Sequence, residues 1–305
     1  MDILHQLHRN GRSIAMPAGM VLGALLCRPI SVADEALHGW ITPVLIFMML
    51  FVTFCRVDIR TMRLRPIHAW MLAFQAVACT GVYFALRLVD ETVAQGAMIC
   101  VLTPIAMAAP VIGGMLGADV ATMATYSLLC NTAVAVAAPV MLAYAGNGEC
   151  TFGEISMRIA PLLICPFAAA QLLRGLWPSA CATIGRHSRL SFYMWLVSLT
   201  VVIGRTMVFI MEYPAGDIHV ETVMAVVAGV LCIVQFAVGR RIGRRYGDAV
   251  AGGQSLGQKN TVLAIWMAQS FMNPLSSIAP TAYIVWQNFV NSYQIYRHDK
   301  SADTQ

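Results

Sequence analysis

The sequence predicts an all-α polytopic membrane protein, with ten transmembrane helices arranged as two inverted five-helix repeats and with the fourth and ninth helices broken. Three observations predict it. Hydrophobic residues make up 58% of the 305 and charged residues 11%, with a mean hydropathy of +0.68, outside the usual range of water-soluble domains. Apolar windows recur along the whole chain without an alternating strand pattern, and in lipid only helices and closed barrels satisfy their own backbone. Basic and acidic residues also take turns in the segments between windows, as orientation in a membrane requires.

The windows justify themselves in order. The first, residues 13–28, follows Arg9 and Arg12 and precedes Asp34 and Glu35. This stretch also has the layout of a signal peptide, with Ser31-Val32-Ala33 as a cleavage site, but the repeat needs it as a helix. Window two, 40–55, ends at Arg56, Arg60, Arg63 and Arg65; window three, 67–86, leads to Asp90 and Glu91. The fourth, 93–112, is interrupted by Pro104, Pro110, Gly113 and Gly114, and the fifth, 119–145, runs into the acidic turn containing Glu149 and Glu154. The sixth and seventh, 152–173 and 190–211, are separated by Arg174, Arg186 and Arg189 and followed by Glu212, Asp217 and Glu221. The eighth, 219–239, ends in Arg240, Arg241, Arg244 and Arg245. The ninth, 248–270, carries Gly252, Gly253 and Gly257, and the tenth, 275–296, ends at Arg297 and Lys300.

Every basic cluster falls on one side and every acidic cluster on the other, which puts both termini in the cytoplasm of a plasma or inner membrane. Five windows precede the acidic turn and five follow it. Each half therefore crosses an odd number of times, and a repeat of residues 10–147 in residues 150–298 has to be inverted. The expectation is a single membrane domain over 1–300 with a short cytoplasmic tail, 301–305.

The net charge of +5 is accounted for by this topology, so no nucleic-acid partner is expected. The nine cysteines contain no CxxC pair and no histidine at ligand spacing, which argues against a disulfide framework or a metal centre. An enzyme is not expected: there is no HExxH, no paired intramembrane aspartate and no nucleophile with a histidine partner. No cofactor is implied.

Interrupted hydrophobic segments at matching places in two halves mark a transporter binding site. A helix restarting within the membrane presents unpaired N–H groups and a positive dipole end, both suited to an anion. Pro110 can open one such half-helix, and Asn260 with Thr261 the other. Lys259, one of only two lysines, follows Asp248 by 11 residues, which at ~1.5 Å per residue sets it roughly 16 Å into the bilayer. An ammonium there costs at least ~2.5 kcal/mol, so a partner is expected. No carboxylate lies in the apolar part of any window, which leaves the substrate as the partner, loss of the proton, or carbonyls exposed at the break. Polar neighbours that can line the site are Gln254, Ser255 and Gln258 on the ninth segment, Ser127 and Asn131 on the fifth, and Gln75 on the third.

"FCRVDIRTMRLRP" after the second window, the proline-marked fourth, "ATMATYSLLCNTAVAVAAPV" as the fifth and "GGQSLGQKNT" in the ninth together resemble the bile acid:sodium symporter superfamily over nearly the whole chain. The resemblance implies a panel of helices one, two, six and seven and a core of three to five with eight to ten. It also implies that the fourth and ninth helices cross at their breaks beside a bound organic anion. Sodium-coupled members carry Glu-x-Gly-x-Gln-Asn in helix nine; here Ser255 stands at the Glu position and Lys259 at the Gln position. Of the sodium-site positions, Ser127, Asn131, Ser255 and Lys259 remain identifiable, with reduced capacity to coordinate sodium. A protonated Lys259 beside Ser255 supplies the +1 that a glutamate with two sodium ions would supply.

The expected function is therefore secondary transport of a small organic anion, a carboxylate or a bile-acid-like molecule, by alternating access. Coupling is expected to be sodium-independent or proton-linked, with Lys259 as a tethered cation. A sodium-coupled symporter and a non-transporting receptor on the same fold are the alternatives. Arsenite efflux, which a similar fold serves through a cysteine in helix four, is the less favoured use of Cys100.

Overall fold

A computed structural model of the chain describes residues 17–57, 59, 62–146, 148, 150–186, 188–212 and 218–302. Arg9, Arg12, Arg60, Glu149 and Asp217, used above to orient the chain, lie outside the described residues, as does the side chain of Arg189. In chain order the elements are α1 (17–25), then α2 (Cys27–Ala36), α3 (Ile41–Phe54), α4 (Pro66–Leu86), α5 (Glu91–Leu102), α6 (Ala109–Met115) and α7 (Val120–Ala145). After these come α8 (Phe152–Leu176), α9 (Pro178–Arg186), α10 (Ser188–Glu212), α11 (Ile218–Arg245), α12 (Ala249–Gly257), α13 (Thr261–Phe271), a single 3-10 turn (Pro274–Ser277) and α14 (Ile278–Ala302).

Helix occurs in each of the ten apolar windows, in the first from residue 17 onward among the described residues. Five helices, Pro66–Leu86, Val120–Ala145, Phe152–Leu176, Tyr193–Glu212 and Ile218–Arg245, are individually long and apolar enough to cross a membrane. A sixth is obtained when α2 and α3, bent by 86° at their junction, are taken as one span. The chain is thus a helical, multi-pass membrane protein. Its helix starts are written locally: Asp90, Asp119 and Asp248 each accept backbone N–H groups of the turn they open.

The first window differs from expectation. Helix continues through Ala36, interrupted only at Leu26. Pro29 explains the interruption, since its ring conflicts with the carbonyl four residues earlier and it has no N–H to give. Asp34, expected in a loop, is therefore on a helix and 3% exposed, where it accepts from Arg205 Nη1 at 2.8 Å. The segment between the sixth and seventh windows is not a plain loop either: α9 starts on Pro178 and buries Cys181.

By contact density the chain divides into two units, one of Met1–Arg56 with Pro166–Ala215, the other of Val57–Cys165 with Gly216–Gln305. In the first, α10 packs on α2 and α3. Arg174 Nη2 and Arg56 Nε hold main-chain carbonyls of Cys55 and Gly185, fastening α9 at the end of α3. In the second, α11 is the spine, packed against α12, α14 and α5. The α11–α12 contact is backbone on backbone: a Cβ on Gly252 would stand 2.2 Å from the Gly239 carbonyl oxygen and 2.8 Å from Gly243 Cα. Gly239 and Gly243 are four apart, the spacing that lets membrane helices approach this closely.

Candidate functional site

The second unit contains two short-helix pairs, α5–α6 and α12–α13, each interrupted by extended chain. The two interruptions meet. Ala106 N donates to the Gln258 carbonyl at 2.8 Å and Asn260 N to the Pro104 carbonyl at 2.9 Å, forming an isolated antiparallel bridge between Ile105 and Lys259. Every residue from Ala251 to Gln269 is buried, whereas on the other side of the crossing Ala106 and Met107 are half-buried and Ala108 is exposed.

The end of α5 explains Lys259. A helix leaves its last carbonyls without intrahelical partners, and burial makes each one a demand on its surroundings. Here the Cys100 carbonyl accepts from Gln235 Nε2 (3.4 Å), Val101 from Lys259 Nζ (3.1 Å) and Leu102 from Gln75 Nε2 (2.9 Å). Thr103 accepts from both Lys259 Nζ and Gln75 Nε2, each at 3.1 Å. Lys259, 1% exposed, therefore rests its side-chain nitrogen on the negative end of the α5 dipole. The partner expected for it is thus found within the protein, in main-chain oxygens. The thiols of Cys79, Cys100 and Cys130 are also within electrostatic range. An ammonium has three N–H donors, and two are engaged; the third meets no partner among the described residues.

The remaining predicted site residues are in different states of use, and only Gln75 shares a hydrogen-bond partner with Lys259. Gln75 is fully engaged, since its Oε1 accepts from Tyr126 OH at 2.9 Å and Cys130 Sγ at 3.3 Å while its Nε2 serves α5. Asn260 caps α13 through Oδ1 to Leu263 N, and its Nδ2 is buried without a partner. Thr261 opens α13, buried, with its N–H on the Lys259 carbonyl. Gln258 gives its main chain to the bridge and leaves Oε1 unpartnered. Ser255 is fully buried with a free hydroxyl. Gln254 donates to Asn291 Oδ1 and Gln294 Oε1, and its own Oε1 is free. On α7, Asn131 Nδ2 takes the Ser127 carbonyl at 2.7 Å while Asn131 Oδ1 is unpartnered. Pro110 is the second residue of α6, as its ring allows, but α6 is only seven residues long and half-buried at Pro110.

Several residues of the crossing lie beyond the predicted set. Gln235 on α11 donates to Tyr283 OH (3.0 Å), which donates to the Gly257 carbonyl at the end of α12 (2.8 Å). Gln287 Oε1 accepts the Lys259 N–H at 3.0 Å. A lone amide in an apolar run, as Gln235 is in "VLCIVQFAVG", was the available signal. The sequence matches no known family model and no curated protein.

Proposed function

We propose that the chain is a secondary transporter of a small organic anion, working by alternating access around the crossed breaks. The observation that carries this reading is the crossing itself: two interrupted helices pinned break to break, with the nitrogen of a buried lysine at their meeting point. Burying so many polar groups with incomplete partners costs stability, roughly 1–3 kcal/mol for each unsatisfied group. Such a cost is ordinary at a binding site and hard to account for in a purely structural core. Lys259 and the free Nδ2 of Asn260, at the positive start of α13, would hold a carboxylate.

The same reading takes the chain as a ten-span inverted repeat of the bile acid:sodium symporter superfamily. The helix found in each of the ten windows supports it, as does the partition of the chain into Met1–Arg56 with Pro166–Ala215 and Val57–Cys165 with Gly216–Gln305. Lys259 would replace the sodium charge, making transport sodium-independent or proton-linked.

One observation favours a second reading, sodium-coupled symport. Of the unpartnered atoms on site residues, those of Asn131, Ser255, Gln254 and Gln258 are oxygens, the donors that hard cations prefer. A single experiment separates the two. Purified protein in proteoliposomes is given a panel of labelled carboxylates under a sodium gradient, a proton gradient or neither. Uptake without sodium is the expected result. Uptake strictly dependent on a sodium gradient transfers the case to the second reading, and absence of flux with retained binding would leave a receptor instead.

A further inference from the structure

The outward side of α11 is neither packed nor polar. Val226, Val230, Ile233 and Val234 are 56, 55, 57 and 41% exposed, while Met224, Ala228, Cys232 and Phe236 face the core. At 100° per residue the exposed positions, continued by Ala237, Arg241 and Arg244, form one stripe along the helix. The stripe ends in an open groove of about 310 Å³ lined by Ala237, Val238, Arg241 and Arg244. No ion pair is made by either arginine among the described residues. Two guanidinium groups without counter-ions therefore stand at the head of a continuous apolar track.

We propose that this face binds an acidic phospholipid, with its phosphate on Arg241 and Arg244 and one acyl chain along Ala237, Ile233 and Val230. The dimensions fit. Arg241 follows Val230 by 11 residues, a rise of ~16 Å, against a hydrocarbon thickness of about 15 Å for one leaflet. A phosphate is also the anion that paired arginines grip best, through planar two-point hydrogen bonding. Water-soluble anions would leave the apolar track uncovered, so the lipid is the occupant that matches both parts. The inference requires α11 to span a bilayer and is independent of whether the protein transports anything.

The test uses full-length protein in phosphatidylcholine vesicles containing a trace of pyrene-labelled phosphatidylglycerol or pyrene-labelled phosphatidylcholine. Energy transfer from tryptophan reports proximity, and Trp286 of α14, whose indole lies over Gly229 of α11 and donates to the Ala225 carbonyl, packs against α11. Wild type should prefer the phosphatidylglycerol probe by about 5-fold per arginine, roughly 30-fold for the pair, and lose that preference in high salt. The variant Arg241→Gln/Arg244→Gln should abolish the preference, whereas Arg240→Gln/Arg245→Gln, equal in charge but outside the groove, should keep it. Equal loss in both double variants would reduce the site to a general basic belt and overturn the proposal. So would absence of preference in the wild type, displacement by free inorganic phosphate at the same concentration, or a dimer covering this face.

Discussion

Replacing Lys259 by methionine separates a structural from a ligand-binding ammonium. Methionine keeps most of the side-chain length and removes the charge together with both hydrogen bonds to α5. Thr103 O still has Gln75 Nε2 at 3.1 Å, so only the Val101 carbonyl loses its partner, at a cost of roughly 1–3 kcal/mol. Against this, removal of a buried charge relieves a desolvation penalty of several kcal/mol. The two effects largely offset, and Lys259→Met should unfold cooperatively in detergent near the wild-type temperature. Binding should respond differently. Loss of a charge-assisted hydrogen bond to a carboxylate costs about 1.5–3 kcal/mol, or roughly 10- to 150-fold in affinity. The assay is a thermal-shift screen of organic acids on wild type, followed by calorimetric titration of the best carboxylate into both proteins. A folded Lys259→Met that binds within twofold of wild type would refute the argument and leave Lys259 as a cap for α5; a variant that fails to fold would refute the offset.

Three further outcomes are expected. Gly252→Ala would drive a methyl group into the Gly239 carbonyl and should lower stability by at least about 1–3 kcal/mol, while Gly81→Ala on α4, with nothing within 4 Å, should raise it by about 0.4–1 kcal/mol; thermal melts in one detergent compare them. Arg205→Met should destabilise by about 3–5 kcal/mol because it strands Asp34 in its buried position, and adding Asp34→Asn should recover most of the loss in the same melts. At the start of α7, the hydrogen bond from the Thr122 hydroxyl, the N–H groups of Thr122 and Ala121 and the Arg65 charge hold the Asp119 carboxyl below its ordinary range. Its stabilisation is complete above the unfolded value of about 3.9 and is lost as pH falls through the lower folded value. Wild type should therefore lose more stability than Asp119→Asn when melts are taken at successively lower pH.

Much of this architecture was legible because hydropathy and capping are written in side chains. Asp119 and Asp248 stand at the first positions of the fifth and ninth windows and cap the helices there, Asp90 was read only as an orienting acid although it caps α5, and the glycines and prolines of the fourth and ninth windows announced breaks. Asp34 misled because a carboxylate after an apolar run reads as loop, and its partner, Arg205, belongs to a distant helix. The position of Lys259 at a break was legible, and carbonyls exposed at the break were one of three partners open to it; which carbonyls they would be was not legible. Main-chain carbonyls exist at every residue and carry no letter of their own, so nothing in "VLTP" said that its oxygens would face a cation. Gln235, Tyr283 and Gln287 escaped notice for a related reason: each looks like an isolated polar residue until the two breaks bring their demands together.

The link between the two interrupted helices consists of peptide groups on both sides, Ala106 to Gln258 and Asn260 to Pro104. Ordinary side-chain replacement leaves such a rivet intact; only proline at 106 or 260, by deleting the donor, removes one of its shanks. On the proposed alternating-access reading, a movement that keeps both of these bonds would swing α5–α6 and α12–α13 together as one crossed piece.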